Sequence, residues 1–471
     1  MKSVISIGNQ DFISIRKNNC FYIDKTDFIR EWWDKQDSVT LITRPRRFGK
    51  TLTMSMVEQF FSVEYSGRSD LFEDLKIWED KKYRNIQGTY PVISLSFANV
   101  KEPTYQLAEK KICELIAQLY VKYDFITESG KLRDTEVKLY KKIMTDMEYV
   151  DATLSLYYLS GFLYKYYGKK VIILLDEYDT PMQEAFVDGY WEQLLTFTRS
   201  LFNATFKTNP ALERGIMTGI TRVSKESIFS DLNNLKVVTT TSNEYAASFG
   251  FTEQEVFSAL ESFGLENEKN EVKRWYDGFI FGTHKDIYNP WSICNFLERG
   301  QYISYWINTS SNKIIGDIIR RHPVRSKHEI EQLMAGNVVH KRINENITFQ
   351  YLDGDENSLW SLLLAIGYVK ADNVVKEQEY VMAGGTLFVD KNHPEVKFVS
   401  PVSGVVTCIE RGERRKVLSI SVAAAAEQDY EEFGKKDVST MTGEQVKAAL
   451  LEAGLFSFII QRPYIVVADP N

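Results

Sequence analysis

The tripeptide Gly49-Lys50-Thr51 stands between a short run of β-formers, Ser38–Thr43, and a segment, Thr51–Val63, whose apolar residues Leu52, Met56, Phe60 and Phe61 recur at helical spacing. A strand that enters a helix through a glycine and a lysine leaves few folds open. The first turn of a helix has unpaired backbone N–H groups and the positive end of the helix dipole, so such a loop is an anion site. The spacing points to a phosphate loop in which backbone N–H groups of Arg47, Phe48, Gly49, Lys50, Thr51 and Leu52 wrap an oligophosphate. Lys50 would neutralise the β/γ oxygens and Thr51 would ligate Mg²⁺. The full motif carries a glycine five residues before Gly49. Arg44 stands there, in Arg44-Pro45-Arg46-Arg47-Phe48, so the motif by itself leaves a solvated basic turn as the alternative.

A second signal lies downstream. Val171–Leu175 is a continuous apolar run, as in a strand buried on both faces, and it ends in Asp176-Glu177. Four apolar residues followed by an acid is the Walker B pattern. Asp176 would hold the Mg²⁺ and its water shell, and Glu177 would act as the catalytic base that polarises the attacking water. Two acids capping a strand is the alternative for the pair alone. Pro91–Phe97 and Gly215–Ile220 are further strand candidates, and Thr153–Tyr167 is helical and closed by Gly168. Strands alternating with helices predict a parallel sheet with helices on both faces. Thr218, inside the last strand, either senses the γ-phosphate or is a satisfied strand threonine. Arg222 either reaches phosphate or faces solvent.

Composition narrows the class. With 44% hydrophobic and 26% charged residues over 471 positions, the chain is globular and long enough for more than one core. A net charge of -7 argues against a surface coated for nonspecific nucleic-acid binding. Cys20, Cys113, Cys294 and Cys408 are far apart without a CxxC, and no two histidines stand at HxxxH spacing, so neither a disulfide framework nor a zinc site is expected. Met1–Gln10 is polar, and no apolar run approaches 18 residues, which sets a cytoplasmic expectation.

Texture changes twice. After about Leu235 aromatics crowd in, among them Trp275, Tyr276, Phe279, Tyr288, Trp291, Tyr305 and Trp306, and Thr252 with Glu255 reads as a capping box opening a helix. Near Asp372 Gly, Val and Pro at turn spacing predict short strands. The expected organisation is residues 1–240 as a nucleotide-binding domain, 241–372 as a mostly helical domain and 373–471 as a small β-rich one.

Specific segments carry a resemblance. Tyr22-Ile23-Asp24-Lys25-Thr26, the loop Arg44–Thr51, Leu175-Asp176-Glu177-Tyr178-Asp179-Thr180-Pro181, Trp275-Tyr276-Asp277-Gly278-Phe279 and Tyr288-Asn289-Pro290-Trp291-Ser292 resemble the bacterial AAA-ATPase-like proteins over roughly residues 1–371. Arg-Pro-Arg-Arg-Phe-Gly-Lys-Thr is that family's own form of the loop. The resemblance implies a P-loop NTPase that binds ATP with Mg²⁺ and hydrolyses it, ending as a rule in a nuclease-like domain of the PD-(D/E)xK type. No such pattern follows Lys370. Instead Val381–Gly384, Asp390–Gly404 and Arg411–Arg415 resemble a near-N-terminal piece of the NqrA component of the Na⁺-translocating NADH:quinone oxidoreductase. Ser400-Pro401-Val402-Ser403-Gly404 sets a tight turn between β-formers, as in a barrel-sandwich hybrid. It carries no lysine for lipoylation, and His393 and Cys408 read as structural.

The chain therefore reads as chimeric, with a junction near Asp372. The expected fold is an α/β P-loop NTPase parallel sheet, a mostly helical second domain and a small C-terminal barrel-sandwich-like domain. The expected ligands are ATP and Mg²⁺. Two alternatives stand beside an ATPase: a non-hydrolysing ATP-binding scaffold, and a fragment that binds membrane redox-complex subunits. Self-association is open, and nucleic acid enters as a partner by family analogy alone.

Overall fold

A computed structural model describes residues 4–221, 229, 232–306, 329–333, 356–369, 380–389, 396–411, 417–461 and 466–467. The chain divides into two compact units: Met1–Lys327 with Lys341–Ala371, and His328–His340 with Asp372–Asn471. Arg222, His393 and the junction near Asp372 lie outside the described residues.

In the first unit, α1 (Phe12–Lys17) and α2 (Asp27–Lys35) precede β1 (Val39–Thr43), and α3 (Lys50–Phe61) follows it. After α4 (Lys81–Arg84) come β2 (Val92–Ser96) and three helices, α5 (Tyr105–Lys122), α6 (Asp134–Thr145) and α7 (Tyr149–Tyr167). Then follow β3 (Val171–Asp176), α8 (Thr180–Asp188), α9 (Trp191–Phe206), β4 (Leu212–Gly219) and β5 (Leu235–Val238). The five strands form one sheet in the order β2-β3-β4-β1-β5, and every neighbouring pair is parallel.

Both β1 and β3 are buried along their whole length. A strand covered on both faces has no solvent side to keep polar, hence the unbroken apolar runs. On one face Ile42, Ile172, Leu174 and Ile216 share a core with Trp32 of α2 and Met56, Val57 and Phe60 of α3. Successive strand residues point to opposite faces. On the other face α7 packs beside β3 and α9 beside β4. There Gly215 lets α9 approach, since a Cβ would come within 2.7 Å of the Phe206 ring.

All five strands point the same way, so their carboxyl ends share one edge, where ligands of open α/β sheets bind. Register sets Thr43 opposite Gly219 and Ser96 opposite Asp176. The loop after β1 therefore opens beside the end of β4, and the acids after β3 lie one strand further along.

Residues 251–299 are mostly helical and also contain a small sheet that the sequence reading did not include. They contain β6 (Phe251–Thr252), α10 (Glu253–Ser262), α11 (Lys269–Tyr276), β7 (Asp277–Phe281), β8 (His284–Tyr288) and α12 (Pro290–Arg299). The strands form an antiparallel sheet in the order β6-β8-β7. Thr252 and Glu255 cap α10 reciprocally, as their spacing predicts.

The second unit is β-rich. β9 (Tyr380–Val381), β10 (Thr386–Val389), β11 (Lys397–Val399), β12 (Gly404–Arg411) and β13 (Val417–Ala424) form two antiparallel sheets, β13-β12-β9 and β10-β11. Val381, Leu387 and Val406 make its small core with Phe388, Ile420 and Val422. In the turn before β12, Ser400 Oγ donates to Val402 O at 2.6 Å, and Ser403 N donates to Gln428 Oε1 at 2.8 Å. Among the described residues no helix is long and apolar enough to cross a membrane.

Candidate nucleotide site

The loop between β1 and α3 has the backbone that an anion site requires. Arg47 has a φ of 67° and Gly49 a φ of 81°. Left-handed residues in a loop turn successive N–H groups inward and create a concave nest for an anion. Gly49 is the N-cap of α3, and glycine takes that φ without the strain a Cβ brings. Lys50 folds back across the loop, its Nζ donating to the carbonyls of Arg44 and Pro45, each at 3.0 Å. Burial lowers the Lys50 pKa, and the charges of Glu177, Asp176 and Asp179 oppose that shift.

Three arginines of the loop have separate fates. Arg44, where the usual motif has glycine, is fully buried and turned away from the nest. Its Nη1 donates to Thr43 O at 2.9 Å and Thr239 O at 2.6 Å, its Nη2 to Glu244 O at 3.3 Å, and it lies 4.8 Å from the Phe281 ring centroid. Burial pushes its pKa down to about 9. Arg47 stacks 4.5 Å from the Trp291 ring centroid. Arg46 donates from Nη2 to Gln183 Oε1 at 3.3 Å. Phe48 has its ring in a small core with Ala246, Phe281 and Ile287, so only its backbone is left for phosphate. Leu52 packs at the edge of the main core.

Both oxygens of Asp176 meet a threonine. Thr51 Oγ1 donates to Oδ2 at 2.8 Å, and Thr218 Oγ1 donates to Oδ1. The Thr218 hydroxyl thus donates its proton in a hydrogen bond to Asp176. Burial raises the Asp176 pKa, against the hydrogen bonds of Thr218 and Thr51, which lower it. A carboxylate paired with a hydroxyl is a hard-oxygen set that suits Mg²⁺, which takes one or two carboxylates and completes its shell with phosphate and water. Among the described residues no cluster of three or more His, Cys, Asp or Glu forms a dedicated metal cage. Glu177, next along, has a φ of 52°. Its Oε2 accepts from Thr180 Oγ1 at 3.1 Å, and its N–H donates to Thr218 Oγ1 at 3.4 Å.

These groups border a cavity of about 410 Å³. Arg46, Arg47, Phe48, Gly49, Lys50, Thr51, Leu52 and Glu177 line it, as do the apolar or aromatic Ile7, Ile15, Tyr22, Met56, Phe251 and Trp291. Asp176 and Thr218 sit behind its wall. The volume is that of a small-molecule site with a polar end and apolar walls.

Sequence reasoning missed a buried chain of polar groups beside this cavity. Asp179 is fully buried, and its Oδ2 accepts from Ile220 N, Thr221 N, Thr221 Oγ1 and Gln183 Nε2 at 3.0, 2.8, 2.8 and 2.9 Å. Gln183 in turn meets Arg46. The available signal was a third acid, Asp179, three residues beyond the strand end.

Comparison with known proteins follows the division of the chain. Residues 6–229 match the model of the predicted AAA-ATPase family, and residues 364–425 match the NqrA N-terminal barrel-sandwich hybrid domain. An uncharacterized protein in the vnfD 5′ region of Azotobacter chroococcum is 25% identical over 335 residues, 70% of this chain and 58% of that protein. The NqrA component of the Na⁺-translocating NADH-quinone reductase of Neisseria meningitidis is 36% identical over 92 residues, 19% of this chain and 21% of that protein. The chain therefore spans just over half of the first relative and about a fifth of the second. A Walker-type ATPase of Pyrococcus abyssi is similar with a TM-score of 0.35 and 16% identity, covering 73% of this chain and 89% of that one.

Proposed function

We propose, for a chain that joins a predicted AAA-ATPase segment to an NqrA N-terminal segment, that the first segment binds Mg·ATP in the 410 Å³ cavity and hydrolyses it. The observation that carries the reading is the pose of Lys50. Two carbonyls hold its ammonium inside the nest, and an ammonium has three donors, so one N–H remains for a β/γ oxygen. The loop N–H groups take the neighbouring oxygens.

Thr51 and Asp176 would hold the Mg²⁺. When bound, the ion supplies charge neutralisation on the β/γ phosphates. Glu177 accepts the proton of the attacking water, with its carboxylate oriented by Thr180. Its left-handed φ is a strained state for a residue with a Cβ, the kind of outlier that clusters at functional sites. The apolar wall, with Tyr22, Phe251 and Trp291, takes the base and ribose.

An ATP-binding scaffold without turnover differs from this reading only in the chemical step. Measuring phosphate release by the wild type and by Glu177→Gln separates the two. Release that needs Glu177 supports hydrolysis, and no release from a wild type that binds ATP supports the scaffold.

A further inference from the structure

We propose that Asp179 and Gly219 position Glu177. The buried Asp179 carboxylate staples the turn after β3 to the end of β4, and the bare Cα of Gly219 gives it the room to do so. This rests on the hydrolysis reading and goes beyond it, because it names the groups outside the cavity that hold the base in place.

Glu177 needs holding. Its φ of 52° is a state that a residue with a Cβ keeps only where its surroundings impose it. Its bonds to Thr180 close the turn on itself: Thr180 Oγ1 donates to the carboxylate and Thr180 N donates to Glu177 O at 3.1 Å. Its own tie to β4 is long, from N–H to Thr218 Oγ1 at 3.4 Å. The next two residues make the firm ties. Tyr178 N donates to Thr218 O at 3.0 Å, and the Tyr178 hydroxyl donates to Thr221 O at 2.8 Å. Asp179 Oδ2 accepts from Ile220 N, Thr221 N and Thr221 Oγ1 at 3.0, 2.8 and 2.8 Å. Bonds to a charged acceptor are the strong kind, and these sit in a buried site.

Gly219 ends β4 without a left-handed φ, so its backbone would allow any residue. The space would not. A Cβ there would come within 2.6 Å of Asp179 Oδ1 and 2.7 Å of the Tyr178 ring. Neither can step aside easily, since Tyr178 is buried against Phe202 and Asp179 is held through its other oxygen. Asp179 Oδ1 has no hydrogen-bond partner among the described residues and rests against Gly219. Native structures rarely leave a buried carboxylate oxygen unpaired, and such an exception calls for a role. On its other side the Gly219 carbonyl accepts from Arg44 N at 3.1 Å. One strand end therefore meets both the start of the phosphate loop and the turn that carries the base.

The test uses the full chain, with kcat and KM from phosphate release and affinity from titration of Mg·ATP. Gly219→Ala should keep affinity within about threefold while kcat falls on the order of 10²-fold, the scale of a misplacement of about 1 Å. Added to Glu177→Gln, it should lower the residual rate no further, because the two changes act through one group. Thr221→Val keeps the side-chain size and removes one bond to Asp179, so kcat should fall roughly tenfold at unchanged affinity, and Thr221→Ser should restore it. The threonine pair decides the matter if Gly219→Ala does not fold. A folded Gly219→Ala or Thr221→Val with wild-type kcat overturns the proposal. So does a loss that multiplies with that of Glu177→Gln, or one matched by an equal loss of affinity. If the wild type binds ATP and releases no phosphate, the hydrolysis reading fails and this proposal with it. If turnover depends on Glu177 while Gly219→Ala behaves as wild type, only the role of the pair fails.

Discussion

Thr51 Oγ1 donates to Asp176 Oδ2 across 2.8 Å, although 125 residues separate the two along the chain. Each stands at the carboxyl edge of the sheet, one after β1 and one at the end of β3. The hydroxyl and carboxylate hold each other, and they are the pair that the proposed ATP reading assigns to Mg²⁺. Thr51→Val should therefore weaken ATP binding about tenfold when Mg²⁺ is present, the scale of one lost bond to a charged group. Titration in EDTA should show no difference from wild type.

Glu177→Gln should bind Mg·ATP with wild-type affinity and release phosphate at least about 10²-fold more slowly. The amide keeps the shape and can still accept from Thr180, yet it takes no proton from water. Equal rates in a phosphate-release assay would place the base elsewhere.

Asp179 is predicted to matter for stability. Asp179→Ala strips the acceptor from Ile220 N, Thr221 N and Gln183 Nε2 in a buried site, a loss of about 3 kcal/mol by urea unfolding. The pH dependence has a definite sign. Burial raises the folded-state pKa of Asp179 above its ordinary 3.8, so the native state keeps this proton where the unfolded chain has lost it. This contribution is full below pH 3.8 and falls as pH rises through the folded-state value. Asp179→Asn should remove that part of the slope in stability-against-pH curves.

Residues 1–372 alone should bind Mg·ATP within about twofold of the full chain, as expected for a change that touches none of the ligating groups. Arg46, Lys50, Thr51, Asp176 and Glu177 all belong to the first unit. Side-by-side titration checks this, with circular dichroism to show that the shorter protein is folded. A large loss from a folded truncation would give the C-terminal segment a part in the site.

The sheet was readable because β1 and β3 are buried on both faces, which leaves apolar runs that no surface strand shows. Lys50, Thr51, Asp176 and Glu177 could be singled out because each follows or ends a strand, and the structure places all four at the carboxyl edge of the sheet. The β7–β8 hairpin was not. Phe279, Phe281 and Ile287 share one face, but so many aromatics surround them that the period of two is hidden, and the group they cover, Phe48, lies in a distant part of the chain. The resemblance accounts for an arginine at position 44, but its burial was not readable, since its acceptors Thr239 and Glu244 come from beyond β5. Nothing local marks Gln183 either; its meaning arises when Asp179 and Arg46 meet it from two sides.

The most direct measurement is calorimetric titration of Mg·ATP into wild type and Lys50→Ala. The Lys50 ammonium, fixed by the carbonyls of Arg44 and Pro45, is the cation at the centre of the nest. Its loss removes charge-assisted bonds worth about 1.5–3 kcal/mol each, a weakening of roughly ten- to a hundredfold or more. Binding by the wild type with no measurable heat from a folded Lys50→Ala is the predicted result. Equal affinity of the two proteins would contradict the assignment of this loop as the phosphate site.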